Sequence, residues 1–196
     1  MIRLLVATRN RGKQAEFRAL LAAVRAEIVF PDDLDIAESA AEQQLECHDT
    51  FEANARAKAR WFARRSGLPT LADDSGLEVD ALGGAPGVHS KRFAGIDGSD
   101  GDVTAANNAK LLAALGDAAD DARTARYRCA RVLARPDGTE LMATGVVAGR
   151  IGRVARGHNG FGYDPLFLSD ELGDTFGVAS EAAKHAVSHR GRAVAA

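Results

Sequence analysis

The chain has 196 residues, with 25 Lys or Arg against 27 Asp or Glu and a formal net charge of -2. This length suits one domain, or one domain with two lobes. A hydrophobic content of 46% with 27% charged residues argues against a disordered or fibrous protein. No apolar run approaches the ~20 residues of a membrane span, and the near-neutral charge argues against a general nucleic-acid coat. Cys47 and Cys129 form neither a disulfide framework nor a zinc pattern. Because no export signal is recognisable either, we expect a cytoplasmic protein without membrane or nucleic-acid partners.

The first half of the chain is predicted to alternate strands and helices. The expected elements are a strand buried on both faces at 2–7, a helix from residue 13, a strand at 26–30, a loop with one short helix at 31–49, a helix at 51–65 and a short strand at 70–72. The first of these helices is indicated by the apolar stripe Phe17, Leu20, Leu21 and Val24. A strand–helix–strand start favours an α/β fold with parallel pairing.

The second half is predicted to contain a hairpin and two further helices. The expected elements are an extended segment at 77–82, a helix at 104–115, strands at 125–134 and 140–151, a short strand at 165–168 and a final helix N-capped by Ser180. The sequence contains no internal repeat and no linker, so we expect a single domain over residues 1–196.

The turn after the first strand is a candidate anion site. It contains Thr8, Arg9, Asn10, Arg11, Gly12 and Lys13. Backbone N–H groups and the helix dipole attract anions at such a strand-to-helix turn, and Lys13 adds a full positive charge. The turn is not a P-loop, because Gln14 follows Lys13 where that motif has Ser or Thr. The alternative is an ordinary turn with solvated polar side chains.

Two adjacent carboxylates, Asp73 and Asp74, are predicted to lie at the end of the short strand at 70–72. Strand ends beside a crevice are common ligand sites in α/β sheets, and oxygen-only ligands suit Mg²⁺ together with substrate phosphates. The alternative is an Asx turn in which the aspartates accept hydrogen bonds from backbone N–H groups.

Two later segments carry groups that suit a flat, phosphorylated ligand. In the glycine-rich stretch at 157–165, Phe161 or Tyr163 offers a face for stacking and Asp164 an acceptor. Near the C-terminus stands a basic group, Lys184, His185, His189, Arg190 and Arg192, which suits phosphate or a carbonyl-bearing base edge. The alternatives are a hairpin loop whose aromatics return to the core, and cations that complement a helix dipole. Motifs for serine, cysteine or zinc chemistry are absent, so a phosphorylated ligand with Mg²⁺ is the favoured interpretation.

Five segments in this order resemble the Ham1-like family of nucleoside triphosphate pyrophosphatases, which remove inosine and xanthosine triphosphates. The segments are TRNRGK at 8–13, TFEANARAKA at 50–59, LADDSGLEVDALGGAPGVHSKRFAG at 71–95, GFGYDPLF at 160–167 and SHRG at 188–191. The resemblance covers essentially the whole chain. It implies an α/β fold with an elongated central mixed sheet flanked by helices, two lobes around a nucleotide cleft, and a homodimer.

The resemblance also implies roles for individual residues. Asp74 would be the catalytic acid–base residue, and Glu46 with Asp74 would bind Mg²⁺. Cys47 and His48 replace the more common small-residue pair after Glu46, so Glu42 is the alternative second ligand. The purine nucleoside triphosphate would be bound by Thr8, Arg9, Asn10, Arg11, Gly12, Lys13, Ser75, Phe161, Gly162, Tyr163, Asp164, Lys184, His189 and Arg190.

The activity implied is hydrolysis of dITP, ITP and XTP at the α-phosphate, which gives nucleoside monophosphate and pyrophosphate and prevents misincorporation. Donors such as Arg190 at the base O6 would select 6-oxo purines over adenine. Two alternatives stay open at this point: a related housekeeping pyrophosphatase for other modified nucleotides, and a module that senses nucleotide without cleaving it.

Overall fold

A computed structural model describes residues 2–196, and within them six strands form one sheet in the order β2-β1-β3-β4-β5-β6. The strands are β1 (Ile2–Val6), β2 (Ala26–Val29), β3 (Thr70–Val79), β4 (Thr124–Ala134), β5 (Glu140–Ile151) and β6 (Phe167–Ser169). Strand β1 pairs in parallel with β2 and β3, whereas β5 and β6 are antiparallel. The sheet is therefore mixed, and the predicted α/β fold with a mixed sheet flanked by helices is confirmed.

The helices begin where the sequence supplies a capping side chain. They are α1 (Arg11–Leu20), α2 (Ala40–Gln43), α3 (Phe51–Ser66), α4 (Asp100–Leu115), α5 (Glu181–Val187) and α6 (His189–Ala195). Asn10, Thr50, Ser99 and Ser180 each accept a hydrogen bond from the backbone N–H three residues later. The predicted cap at Ser180 is confirmed. None of the helices in the described part of the chain is long and apolar enough to cross a membrane.

The described chain divides into two compact units, each with its own core. Unit 1 comprises the residues up to Asp74, Cys129–Gly145 and Ala193–Ala196, and unit 2 comprises Ser75–Arg128 and Val146–Arg192. The unit 1 core contains Val6, Phe17, Leu21, Phe30 and Leu71. The unit 2 core contains Leu77, Val79, Leu111, Leu115, Ala125, Tyr127, Val147, Ile151, Tyr163, Leu166, Phe167 and Phe176.

Strand β3 differs most from its prediction. We expected a short strand at 70–72 with Asp73 and Asp74 just after it, but β3 is ten residues long and continues through the carboxylate pair to Val79. Its neighbours are β1 on one side and β4 on the other, so the sheet extends past the point where β1 ends. Asp73 and Asp74 therefore lie inside a strand, and the prediction of a strand end was wrong.

Smaller differences have local causes. Helix α1 begins at Arg11 because Asn10 caps it, and it ends at Leu20, so Val24 lies outside the helix. Strand β1 is buried only toward its C-terminal end, and Ile2 is 68% exposed, so burial on both faces was wrong for its first residues. The final helix is interrupted at Ser188, whose extended backbone separates α5 from α6. In the segment expected to hold one short helix, α2 is flanked by 3₁₀ turns at Pro31–Leu34 and Gln44–Glu46.

Candidate active site

The carboxylates of β3 are buried in unit 1, and each accepts a hydrogen bond from a polar side chain of a helix. Asp73 is 1% exposed, and its Oδ1 lies 3.1 Å from Nζ of Lys13 on α1. Asp74 is 7% exposed, and its Oδ2 accepts a hydrogen bond of 2.9 Å from Nδ2 of Asn54 on α3. A buried charge is costly unless it is paired and hydrogen-bonded. These contacts therefore allow the β3 carboxylates to stay buried.

A second lysine, Lys58, forms an ion pair with Glu46 close to the same carboxylates. We call Glu46, Asp73, Asp74, Lys13 and Lys58 the carboxylate cluster. Burial disfavours the charged form of Lys58, but attraction to Glu46, Asp73 and Asp74 outweighs it and raises the pKa of Lys58. Lys58 in turn is the main cause that lowers the pKa of Glu46 to about 2. Both groups are therefore charged at neutral pH.

Asp74 has an increased affinity for a proton. Burial raises the pKa of Asp74 above its ordinary value, while the nearby charges of Lys13 and Lys58 oppose that rise. A carboxylate with a raised pKa is a better proton acceptor, and enzymes tune general bases in this direction. The raised pKa therefore suits Asp74 to general-base chemistry.

The residues of the turn before α1 contact different partners: Lys13 contacts the carboxylate cluster, and Arg9 contacts Glu42. Lys13 points at Asp73, whereas Asn10 caps the helix and Thr8 accepts a hydrogen bond from the Asn10 amide. Arg9 forms a bidentate pair with Glu42, with Nε to Oε1 at 2.8 Å and Nη2 to Oε2 at 2.9 Å. The structure thus brings Glu46 to the β3 carboxylates, while Glu42 is held by Arg9.

Unit 2 contains a second group of predicted residues, which we call the ring cluster: Ser75, Phe161, Asp164, Lys184, His189 and Arg190. Asp164 Oδ2 accepts hydrogen bonds from Lys184 Nζ at 2.6 Å and from the Phe161 amide at 2.8 Å. The Lys184 ammonium also lies 5.1 Å from the centroid of the Phe161 ring. Arg190, which is almost fully buried, donates from Nη2 to Ser75 Oγ at 2.8 Å. Cations thus surround a half-buried aromatic ring.

The two aromatic residues of the glycine-rich segment differ in their surroundings. Tyr163 is buried in the unit 2 core and donates to the backbone oxygen of Ser90 at 2.8 Å, and burial raises its pKa. Phe161 is only half-buried. Gly160 is required beside Phe161, because its φ is +72° and a Cβ there would lie 2.0 Å from Asp164 Oδ2. The ring available for stacking is therefore Phe161.

The sequence analysis missed Asn54, Lys58 and Tyr127. Asn54 and Lys58 are four residues apart on α3 and lie on its buried side, next to Ala55 and Ala59. Two polar residues four positions apart beside the apolar face of a helix indicate buried polar contacts, and the sequence analysis did not use this pattern. Tyr127 on β4 donates to Asp164 Oδ1 at 3.2 Å. No local pattern links Tyr127 to a partner 37 positions away.

In the described part of the chain, no group of three or more His, Cys, Asp or Glu side chains is gathered closely enough to hold a metal ion alone. Carboxylate oxygens are nevertheless the ligands that Mg²⁺ prefers. Mg²⁺ is commonly held by one or two carboxylates, with substrate phosphates and water completing its shell. Glu46 and Asp74 fit that requirement by donor chemistry, and the Lys58 ammonium is the cation that now pairs with Glu46.

The fold and the clusters define an α/β protein with two groups of charged residues. Unit 1 carries buried carboxylates paired with lysines, and unit 2 carries cations next to an aromatic ring. Such groups suit a polyanionic ligand that also contains a flat ring. The sequence profile of the Ham1 family matches residues 4–196, and the chain belongs to this family.

Relatives of known name match over nearly their full length. The chain is 48% identical to a dITP/XTP pyrophosphatase of Exiguobacterium sibiricum, with 98% of this chain and 93% of the relative covered. It is 49% identical to a dITP/XTP pyrophosphatase of Nocardia farcinica, with 99% and 92% covered. Among solved structures, a HAM1 protein from Coxiella burnetii superposes with a TM-score of 0.84 at 36% identity, with 100% of this chain and 95% of that chain covered.

Proposed function

We propose that this protein is a nucleoside triphosphate pyrophosphatase that hydrolyses dITP, ITP and XTP at the α-phosphate. The products are nucleoside monophosphate and pyrophosphate, so the activity clears non-standard purines from the nucleotide pool. The names of relatives 48–49% identical over almost the whole chain support this activity over the alternatives of another modified substrate or of nucleotide sensing. The observation that carries the proposal is Asp74, a buried carboxylate with a raised pKa between Asn54 and the cluster lysines.

Asp74 accepts the proton of the water that attacks the α-phosphorus. Its raised pKa favours this transfer, and the hydrogen bond from Asn54 holds its Oδ2 in one orientation. Lys13 and Lys58 supply positive charge for the phosphates, aided by the turn of Thr8, Arg9, Asn10, Arg11 and Gly12. Positioning and electrostatic stabilisation then provide most of the rate.

Glu46 and Asp74 are the residues that would hold Mg²⁺ in this proposal. The ion, when bound, would act as a Lewis acid on phosphate oxygens. Lys58 forms an ion pair with Glu46 and offsets part of the negative charge of these carboxylates.

The ring cluster binds the nucleoside end of the substrate. Phe161 stacks on the base, while Lys184, His189 and Arg190 face the base, sugar and phosphates together with Ser75, Gly162, Tyr163 and Asp164. A guanidinium or backbone N–H that donates a hydrogen bond to the base O6 favours a 6-oxo purine. Adenine presents an N6 donor at that point, which leaves a buried donor unpaired.

We also propose that the chain acts as a single domain, as a homodimer and in the cytoplasm.

The test is a panel of ITP, XTP, dITP, GTP, ATP and dTTP at equal concentration, with separate detection of pyrophosphate and orthophosphate. We expect pyrophosphate from ITP, XTP and dITP in the presence of magnesium and none with chelator. Orthophosphate release would indicate a terminal phosphatase instead. Tight binding with no product would indicate a sensor. Light scattering of the same preparation measures the oligomeric state.

A further inference from the structure

Tyr127 is a buried residue of β4 that contacts the ring cluster at separate points. Its hydroxyl donates to Asp164 Oδ1 at 3.2 Å. Its ring stacks on the imidazole of His189, with centroids 4.8 Å apart and an angle of 12° between the planes. Tyr127 is only 7% exposed. It is therefore too deep in unit 2 for direct contact with a ligand over most of its surface, yet it joins groups that the proposed function places around the base.

The contact with Asp164 controls the orientation of a carboxylate that holds other members of the cluster. Asp164 Oδ2 accepts from Lys184 Nζ and from the Phe161 amide, so its orientation sets both the ammonium and the start of the ring-bearing turn. The Tyr127 hydroxyl holds the opposite oxygen, Oδ1. Rotation of this carboxylate would break the contact with Tyr127 and shift Phe161 and Lys184 together.

The contact with His189 acts on the other arm of the cluster. His189 begins α6, and Arg190 follows it in the same turn, where its Nη2 donates to Ser75 Oγ at 2.8 Å. A flat ring stacked on His189 fixes the position of that first turn. Tyr127 therefore contacts the helical turn that carries Arg190, through His189, while Ser75 accepts a hydrogen bond from the Arg190 guanidinium itself.

Tyr127 is itself held rigidly by the unit 2 core. Its ring centroid lies 4.7 Å from that of Phe167 and 6.1 Å from that of Phe176, and these rings are fully buried. Side chains in such a core keep one rotamer. Tyr127 can thus transmit the fixed geometry of the core to Asp164 and His189.

We propose that Tyr127 is a positioning residue for base recognition, a role that rests on the proposed function. It presents Phe161 and Lys184 through Asp164, and Arg190 through His189. Loss of Tyr127 weakens binding of the base and its discrimination, while chemistry at the carboxylate cluster of unit 1 is preserved once substrate is bound.

The experiment compares Tyr127→Phe, which keeps the ring and loses the hydroxyl, with Tyr127→Leu, which loses both contacts. For Tyr127→Phe we expect KM for ITP to rise about two- to tenfold, as for one lost hydrogen bond, with kcat within about twofold. For Tyr127→Leu we expect KM to rise further, with a fall in the ratio of kcat/KM for ITP to that for ATP. The phenylalanine variant should retain most of that preference.

The matched control is Leu115→Ala, which removes a side chain of the same core that is not among the ring contacts of Tyr127. It should lower the melting temperature by an amount similar to Tyr127→Leu and leave KM and the ITP preference unchanged. The proposal is overturned if both Tyr127 variants keep the wild-type KM and preference, or if Leu115→Ala shifts them equally. If the wild-type protein releases no pyrophosphate, the proposed function fails. The positioning role is then decided by calorimetric affinities of the wild type and Tyr127→Leu for IMP and AMP, where an unchanged ratio of the two affinities in Tyr127→Leu overturns it.

Discussion

The ammonium of Lys58 and the carboxylate of Glu46 form an ion pair on one side of the buried β3 carboxylates. Lys58 is almost fully buried on α3, and its charge is sustained by Glu46, Asp73 and Asp74 against the cost of burial. The pair therefore balances charge within unit 1. Removal of either Glu46 or Lys58 leaves the remaining charges less compensated. The effect of each removal on the stability of the protein can be measured separately.

Replacement of Glu46 should alter how stability depends on pH. Lys58 lowers the pKa of Glu46 to about 2, whereas an unfolded Glu has a pKa of about 4.3. The contribution of Glu46 is therefore complete above pH ~4.3 and is lost as pH falls toward 2. We expect Glu46→Gln to lose about 1 kcal/mol of unfolding free energy at pH 6, because solvent screens the part-exposed carboxylate. Urea denaturation between pH 2 and 6 measures it, and a deficit that persisted unchanged at pH 2 would contradict this assignment.

Replacement of Lys58 should make the protein depend on a divalent cation for stability. Lys58→Met keeps the side-chain length and removes the charge, so the carboxylates of the cluster repel one another. We expect the melting temperature to fall in chelator and to recover largely in millimolar magnesium chloride, since the cation can bind the uncompensated carboxylates. The matched control is Lys91→Met on an exposed turn, which should be insensitive to magnesium. An equal loss for Lys58→Met with and without magnesium would show that packing, not charge, is responsible.

Several elements of the fold could be predicted because their signals are local. The apolar run of β1, the stripe of Phe17, Leu20 and Leu21, and the cap at Ser180 each depend on neighbouring residues. The path of β3 through Asp73 and Asp74 could not be predicted in this way, because its extension depends on β4, about 50 residues later in the chain. Periodicity also continues across Ser188, so it could not indicate the break between α5 and α6.

The candidate site was predictable to the extent that its residues form short motifs. Lys13, Asp74 and Arg190 were predicted as site residues because they stand in turns, pairs or clusters with a recognisable pattern. Asn54, Lys58 and Tyr127 depend on tertiary contacts across 20, 12 and 37 positions. Such contacts make a polar side chain stable in a buried position, and a single sequence does not display them.

Asn54 should be important for stability as well as for Asp74. It is fully buried, it donates to Asp74 Oδ2 and to the His48 backbone oxygen at 3.2 Å, and its Oδ1 accepts from the His48 amide at 2.9 Å. Asn54→Leu leaves these groups without their partner, so we expect a loss of about 2 kcal/mol in unfolding free energy and a lower kcat. The exposed Asn159→Leu serves as the control. If Asn54→Leu matched it in denaturation, the hydrogen bonds of Asn54 would contribute little.

Glu140 should matter much less, although it pairs with more than one arginine. Arg56 Nε lies 3.3 Å from Glu140 Oε2, and Arg60 Nη2 lies 3.1 Å from the same atom. The two arginine side chains are partly exposed to solvent, and ion pairs with such partners contribute little and are screened by salt. We expect Glu140→Gln to lose less than about 1 kcal/mol, to lose nothing in molar salt, and to keep wild-type pyrophosphate release. A clear fall in kcat would mean that this arginine face takes part in turnover.

Asp74→Asn should lose activity and gain stability. As the proposed general base, Asp74 contributes roughly 10²–10⁴-fold to the rate, so we expect kcat for ITP to fall by orders of magnitude while calorimetry still detects nucleotide. Burial raises the pKa of Asp74 in the folded chain, so the wild type binds that proton more tightly when folded and loses stability as pH rises above about 4. The amide carries no charge and escapes this penalty, so its advantage in unfolding free energy should grow in chelator as pH rises above about 4. Near-normal turnover would exclude Asp74 as the base. A variant less stable than the wild type at pH 7 would show that the buried carboxylate is already fully compensated by Asn54 and the lysines.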